Sequence, residues 1–246
     1  MDRLIYTAMT GATAAANRQS VIANNLANVS TNGFRQQLAT YRAVPLRGEG
    51  ATTRVFALEA SSGYSDQPGA PMRTDRAMDA MAMGKAWFGV QGLDGNEAYT
   101  RNGHFEVNTE GVVVTGNGLP VLSSDGATIT APPGAQISMG ADGGLSAKVG
   151  NQPANPIGKL KLVTPDPEDP LVRGGDGLFR TSSGEQVPTD ETARIQVGVL
   201  EGSNVNPIEQ MVGMIQTARQ FEAQTRLLQT AESNDRSAAQ LLGLQG

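Results

Sequence analysis

The chain of 246 residues contains no cysteine and a single histidine, His104. No disulfide framework, thiolate nucleophile or cysteine-based zinc site can be built without cysteine, and one histidine cannot make a multi-histidine metal centre. Aromatic residues make up only 4% of the chain, which limits its capacity to build a core. Positive charge is the minority sign, 19 Lys+Arg against 24 Asp+Glu for a net charge of −5. With no long basic run, the chain is a poor nucleic-acid binder, because that binding rests on phosphate neutralisation. No apolar stretch approaches the ~20 residues that span a bilayer. The start, Leu4-Ile5-Tyr6 behind Asp2 and Arg3, lacks the apolar core of a cleaved secretory signal, so none is expected. Glycine, by contrast, is plentiful at 30 residues, above the usual ~7%. These features describe a soluble, turn-rich protein of one large or two smaller domains.

Charge is also missing locally. Arg18 is the only charged side chain in residues 4–33, where Ile5, Ala8, Ala12, Ala15, Ile22, Leu26 and Val29 recur at alternating spacings of three and four, with Gln19 as the one polar member. That spacing predicts a helix with a heptad seam. The rest of the helix carries Asn17, Asn24, Asn25 and Asn28 where a solvated face carries Lys and Glu, so it is expected to be buried on more than one side. Gly33, after Ser30-Thr31-Asn32, is its expected stop. At the other end, Asn206-Pro207-Ile208-Glu209 sets a cap residue, a first-turn proline and a capping-box glutamate in order. Met211, Met214, Ala218, Phe221, Thr225 and Leu228 then repeat the three–four spacing, and Leu227, Ala231, Ala238 and Leu241 carry a shifted stripe to the end. Two long helices with matching seams most simply pair with each other, although separate packing on the middle of the chain also fits.

The middle reads as β-structure. Asn102-Gly103 lies between short strand-like runs from Tyr99 to Val107, the pattern of a tight hairpin. Short strands also fit Val112–Thr115, Leu119–Leu122, Gln136–Met139, Gly144–Ala147, Gly158–Val163, Gly177–Thr181 and Arg194–Leu200. The predicted fold class is therefore α+β: paired terminal helices forming a coiled-coil-like layer, a central all-β antiparallel sandwich or barrel, and an extended linker arm. The expected divisions are an N-terminal helix over 1–34, the arm over 35–84, the β-domain over 85–201 and a C-terminal helix over 202–246. The arm carries Pro45, Gly48, Gly50, Pro68, Gly69 and Pro71 and little core of its own.

Catalytic signals are absent from the pattern. Gly116-Asn117-Gly118 lacks the third glycine of a dinucleotide fingerprint, and Gly140-Ala141-Asp142-Gly143-Gly144 lacks the Gly-Lys-Ser/Thr ending of a phosphate loop and reads as a β-turn. Ser203 has no nucleophile-elbow pattern. Asp166 and Glu168 sit in a proline-rich loop where they are expected to be solvated, and His104 has no nucleophile or ligand marked nearby. Met72, Met78, Met81 and Met83 are expected to be packing residues before a contact surface. No catalytic, cofactor-binding or metal residue is assigned, and no cofactor is expected.

Three separated blocks carry a family resemblance. Ala23-Asn24-Asn25-Leu26-Ala27-Asn28-Val29-Ser30-Thr31-Asn32-Gly33-Phe34 resembles the N-terminal motif of bacterial flagellar axial proteins of the rod and hook group. Trp87-Phe88-Gly89-Val90 with Ala98–Phe105, and Glu201–Val212, resemble the same family's middle and C-terminal blocks. The opening Met1–Met9 and Tyr41–Pro45 are most similar to its proximal rod members, with the distal rod protein as the close alternative. The resemblance implies a non-enzymatic subunit of the rod, the drive shaft crossing the periplasm. It implies export through the flagellum's own type III apparatus without a cleaved signal, and polymerisation with other rod proteins and with copies of itself. Neither nucleic acid nor a small-molecule substrate is implied. The expected assembly residues are Ile5, Ile22, Asn24, Asn25, Leu26, Asn28, Met211, Ile215, Phe221 and Leu228. A secreted β-rich binding module with a helical stalk also fits the composition but leaves the three ordered blocks unexplained, and a hydrolase has almost no residue-level support.

Overall fold

The computed structural model describes residues 2–45 and 55–243, and the chain divides into two compact units. One, the helical unit, joins residues 1–29, 36–65 and 205–246; the other, the β unit, joins 30–35 and 66–204. Helix α1 spans Asp2–Ala27 and α2 spans Pro207–Gly243, about 39 and 55 Å at 1.5 Å per residue. Between them in the helical unit, strands β1 (Gln37–Pro45) and β2 (Val55–Tyr64) pair antiparallel, with the register shifting between Thr40 and Tyr41. Gly48 and Gly50 lie outside the described residues.

The two helices pack against each other, and α1 also packs against this ribbon. A Cβ added at Gly11 would meet the Gln224 side chain and one at Gly213 would meet Ile22, so α2 runs antiparallel to α1. On α1 the buried apolar positions are Ala8, Ala12, Ala15 and Ile22, four members of the seam that the spacing predicts. The seam of α2 differs from its prediction. Met211 and Phe221 are exposed, and the buried positions are Gln210, Thr217 and Ala231, with Met214, Ala218, Thr225 and Leu228 half-buried. Small and amide side chains face α1 because alanines on α1 bring the two backbones close. At the start of α2 the cap is as expected: Asn206 Oδ1 accepts from the backbone N–H groups of Ile208 (3.0 Å) and Glu209 (3.4 Å). Helix α1 ends at Ala27, six residues before Gly33. Gly33 has φ +70° and a different reason to be glycine, since a Cβ there would stand 2.3 Å from the Arg101 carbonyl carbon.

The β unit contains short antiparallel strands: β3 (Pro71–Arg73), β4 (Ala80–Ala82), β5 (Trp87–Gln91), β6 (Glu97–Thr100), β7 (Phe105–Val107), β8 (Val113–Thr115), β9 (Gln136–Met139), β10 (Gly144–Lys148), β11 (Asn155–Lys159), β12 (Leu162–Val163), β13 (Leu171–Arg173), β14 (Phe179–Thr181), β15 (Ile195–Val197) and β16 (Val199–Glu201). Five of them form a sheet ordered β12-β5-β6-β14-β13, three a sheet ordered β11-β10-β9, and the rest pair as β15-β4, β16-β3 and β7-β8. Phe88, Phe105, Val113, Val121, Ile129, Leu145, Leu160, Leu162 and Ile195 share one core, where Phe88 and Phe105 meet edge to face at 5.1 Å. Residues 66–84, within the stretch expected to be a bare arm, supply β3 and β4 to this unit, and Ala80 and Ala82 enter its core. Gln37–Pro45 and Val55–Tyr64 form the ribbon of the helical unit.

The Asn102-Gly103 hairpin is a correction. Strand β6 pairs with β5 and β14, and β7 pairs with β8, so the two runs flanking this dipeptide do not pair with each other. Gly103 is not among the residues with positive φ. Asn102 instead closes a local turn, its Oδ1 accepting from the His104 N–H at 3.2 Å, and the following backbone bonds across to Met78–Ala80.

Candidate assembly interface

Where α1 ends, side-chain amides do the work that charges do elsewhere. Asn25 is buried, and its Oδ1 accepts from the Gln37 N–H (2.8 Å) while its Nδ2 donates to the Gln37 carbonyl (2.9 Å) and to Gln210 Oε1 (3.4 Å). One side-chain amide thus pairs with both backbone groups of Gln37 and ties the end of α1 to the start of β1 and the first turn of α2. Asn24 Nδ2 donates to Gln37 Oε1 at 3.1 Å, and Asn28 Nδ2 donates to the Asn24 side chain and carbonyl, each at 2.9 Å. Buried polar groups need such partners, and neutral amides meet the need without the desolvation cost of buried charge. The asparagines expected to face neighbouring subunits are therefore engaged within their own chain, Asn25 most fully.

The first turns of α2 have two faces of opposite character. Gln210, Gly213, Met214 and Thr217 are buried or half-buried. On the other side Ile208, Met211, Val212 and Ile215 recur at i, i+3, i+4 and i+7 and are 71%, 53%, 48% and 57% exposed, so they form one apolar stripe open to solvent. Leu227 and Phe221 are also exposed farther along, and Tyr6 and Met9 on α1. Of the expected assembly residues, Met211, Ile215 and Phe221 thus lie on the open surface. Ile22 is buried, and Ile5, Leu26 and Leu228 are half-buried. Ile208 and Val212 belong to the stripe but were missing from the sequence expectation; a test for an apolar set at i, i+3, i+4 and i+7 starting from the helix cap finds them.

In the β unit the least expected feature is a buried carboxylate. Glu201, 1% exposed, receives Arg35 Nη2 (2.9 Å) and the Gly69 N–H (2.9 Å) on Oε1, and Arg101 Nη2 (2.7 Å) and Nε (2.8 Å) on Oε2. Both guanidiniums lie over the Trp87 ring, 5.9 and 5.8 Å from its centroid, within cation–π range. No spacing in the sequence announces this group, because its members are far apart along the chain.

His104 sits between the Asp79 (2.8 Å) and Glu106 (3.0 Å) carboxylates with Arg76 beside it, and no hydroxyl or thiol nucleophile is within this set. Asp166 and Glu168 are exposed in their loop. Tyr99, whose phenol is pushed up by burial, uses its oxygen to accept the Val187 N–H at 2.7 Å. Among the described residues no group of three or more His, Cys, Asp or Glu side chains could hold a metal ion, and no helix is long and apolar enough to cross a membrane.

Three family models match the chain in order: flagella basal body rod protein over residues 5–35, flagellar hook protein FlgE/F/G D1 domain over 81–147, and flagellar basal body rod FlgEFG protein C-terminal over 196–241. The flagellar basal-body rod proteins FlgF of Salmonella typhimurium and Escherichia coli are each 42% identical to it, over 99% of this chain and all of theirs. The chain belongs to the flagellar basal-body rod proteins. The rod protein FlgG of Bacillus subtilis is 31% identical over 94% of the chain and 96% of its own length, so the chain is FlgF-like within that family. It is a structural subunit of the proximal rod, not an enzyme. The first match ends at Arg35 and the last begins at Gln196, so the amide-bearing end of α1, the apolar stripe of α2 and Glu201 all fall inside matched segments.

Proposed function

We propose that the chain polymerises through its helical unit, with α1 and α2 forming a coiled-coil-like inner layer that is part of the export-channel wall and transmits torque along the rod. Neighbours are copies of this chain and other rod proteins, and the stripe Ile208, Met211, Val212 and Ile215 is where they bury apolar surface. One observation carries the reading: α2 turns amides and small residues inward and its large aliphatic side chains outward, the reverse of a helix built to end at solvent. The short sheets of the β unit close into a sandwich- or barrel-like domain. The rod crosses the periplasm, and the chain reaches it through the flagellar type III export apparatus without a cleaved signal.

The test is Ile215→Asp, introduced into cells in place of the native chain. A charge at this exposed site should change the stability of the purified monomer by no more than about 0.5 kcal/mol, as for surface substitutions generally. Basal bodies isolated from those cells should nonetheless lack complete rods. Wild-type rods at wild-type numbers would falsify the placement of the interface on this face.

A further inference from the structure

The chain passes between its two units four times, after residues 29, 35, 65 and 204. In the β unit, the segments that begin or end at those passages converge on one side chain. Glu201 Oε1 receives Arg35 and the Gly69 N–H, and its own backbone carbonyl accepts the Gly33 N–H at 2.7 Å. The second Arg35 nitrogen, Nη1, donates to the Gln67 carbonyl, which also accepts Asn204 Nδ2 at 2.8 Å. The Asn204 N–H donates to the Phe34 carbonyl at 3.3 Å, and the Gly202 N–H to that of Ala70 at 2.9 Å. Arg101 holds the other carboxylate oxygen and fixes the group to the sheet, donating from Nη1 to the carbonyls of Gly84 and Ala86. A carboxylate offers about four lone-pair sites, and here Arg35 and the Gly69 N–H share Oε1 while Arg101 Nε donates to Oε2 with Nη2 in ion-pair contact beside it, so three separate segments meet on one group.

We propose that Glu201 is a positioning residue, the mechanical joint that holds every covalent connection of the β unit at fixed spacing while the rod turns under load. This rests on the rod-subunit reading. Any force that the backbone carries into the β unit enters within a few residues of a group bonded to Glu201 or to its Arg35 partner. A cluster of charge-assisted, fork-shaped bonds resists shear better than apolar contact, because each bond has a required direction. Hydrophobic packing at this point, such as Trp87 under both guanidiniums, excludes water and keeps those bonds short of competition.

The experiment uses the full chain with Glu201→Gln, which keeps the side-chain shape and removes the charge. Amide exchange at Gly33, Gly69 and Gly202 should quicken at least tenfold while the amides of β10 are unchanged. Cells carrying the variant should form rods in normal number and swim normally in dilute medium. In viscous medium they should lose speed at least twofold relative to wild type. Arg35→Lys, which retains the charge but loses the fork, should show the same pattern in weaker form and stands in if Glu201→Gln does not fold. Faster exchange in β10 as well, no change at Gly69, or local loosening with an unchanged response to viscosity overturns the joint. Missing rods in the Glu201→Gln strain, with Arg35→Lys indistinguishable from wild type, overturn it too. Intact rods in cells lacking the chain altogether would instead overturn the rod-subunit reading, whatever the exchange result.

Discussion

At Gly103 a methyl group has nowhere to go. A Cβ built there would stand 1.7 Å from the Ala80 carbonyl oxygen and 3.1 Å from the Phe88 ring, across a bridge in which the Ala80 N–H donates to the Gly103 carbonyl at 2.9 Å. Gly103→Ala must push these backbones apart, at a cost of at least about 2 kcal/mol by comparison with overpacked cores. For a unit of this size that is a fall in melting temperature of roughly 4–8 °C, measurable by calorimetry; an unchanged transition would mean that the Ala80 segment yields freely. The sequence marks Gly103 as special for a different reason, a positive-φ turn, because Asn-Gly is a local signal and the partner at Ala80 is not local. Glu201, Arg35 and Arg101 were illegible on the same ground. A buried charge looks like an exposed one until the chain segments that neutralise it are brought together. Asp190 provides a pH test. Hydrogen bonds from the side chains of Thr192 (2.6 Å) and Thr164 (2.7 Å), then the Thr192 N–H (2.9 Å), hold its carboxyl down at about 2. The native value is below the unfolded one of about 3.9, so the contribution is whole above pH ~4 and is lost as pH falls through the native value. Asp190→Asn should flatten the acid-side dependence of the melting temperature between pH ~4 and ~2, and an identical acid profile in the variant would count against these bonds.

Among the elements, α1 was legible and α2 only half so. Both have apolar residues at helical spacing, but in α1 the residues so selected include the buried ones, and in α2 those of the seam from Met211 to Leu228 are at most half-buried. In α2 the most buried positions include Gln210 and Thr217, which no hydrophobic pattern selects, whereas of the seam that the spacing selects Met214, Ala218, Thr225 and Leu228 are half-buried and Met211 and Phe221 are exposed. The helix boundary, in contrast, could be read from the sequence because a cap acts over three residues. Asn206→Ala removes the acceptor for the Ile208 and Glu209 N–H groups, and such losses cost about 1 kcal/mol. Circular dichroism of the purified chain should show the helical signal melting earlier, with Asn206→Asp close to wild type. If Asn206→Ala and Asn206→Asp melt together, the cap contributes nothing. The strands of the β unit were found where alternation and turn glycines are local, as at β9 and β10. Their partners were not, since pairs such as β16 with β3 join residues about 130 apart in sequence.

For the whole molecule, the two units are stabilised by different means. The β unit holds the aromatic and branched core and the buried charges, whereas the helical unit packs alanines and amides and leaves aliphatic residues outside. Local opening follows the density of buried apolar contacts. In the monomer, amides of α1 and α2 should therefore exchange at least tenfold faster than those of β5 and β10, and the difference should disappear in assembled rods. Equal protection of both units in a verified monomer would show that the helical unit needs no neighbours.

The helical unit is also sewn from the two extremities of the chain, with 139 residues of the β unit, 66–204, between its last two pieces. That arrangement acts as a clock. A chain made from its N-terminus at about 5–20 residues per second exposes Ala8, Ala12, Ala15 and Ile22 for roughly 10–40 s before the facing turns of α2 arrive. A chain broken off anywhere before those turns can hold much of its β unit and still have no counterpart for α1. An unfinished chain is thus marked by its own α1, whose alanine face stays open for want of the α2 turns that cover it.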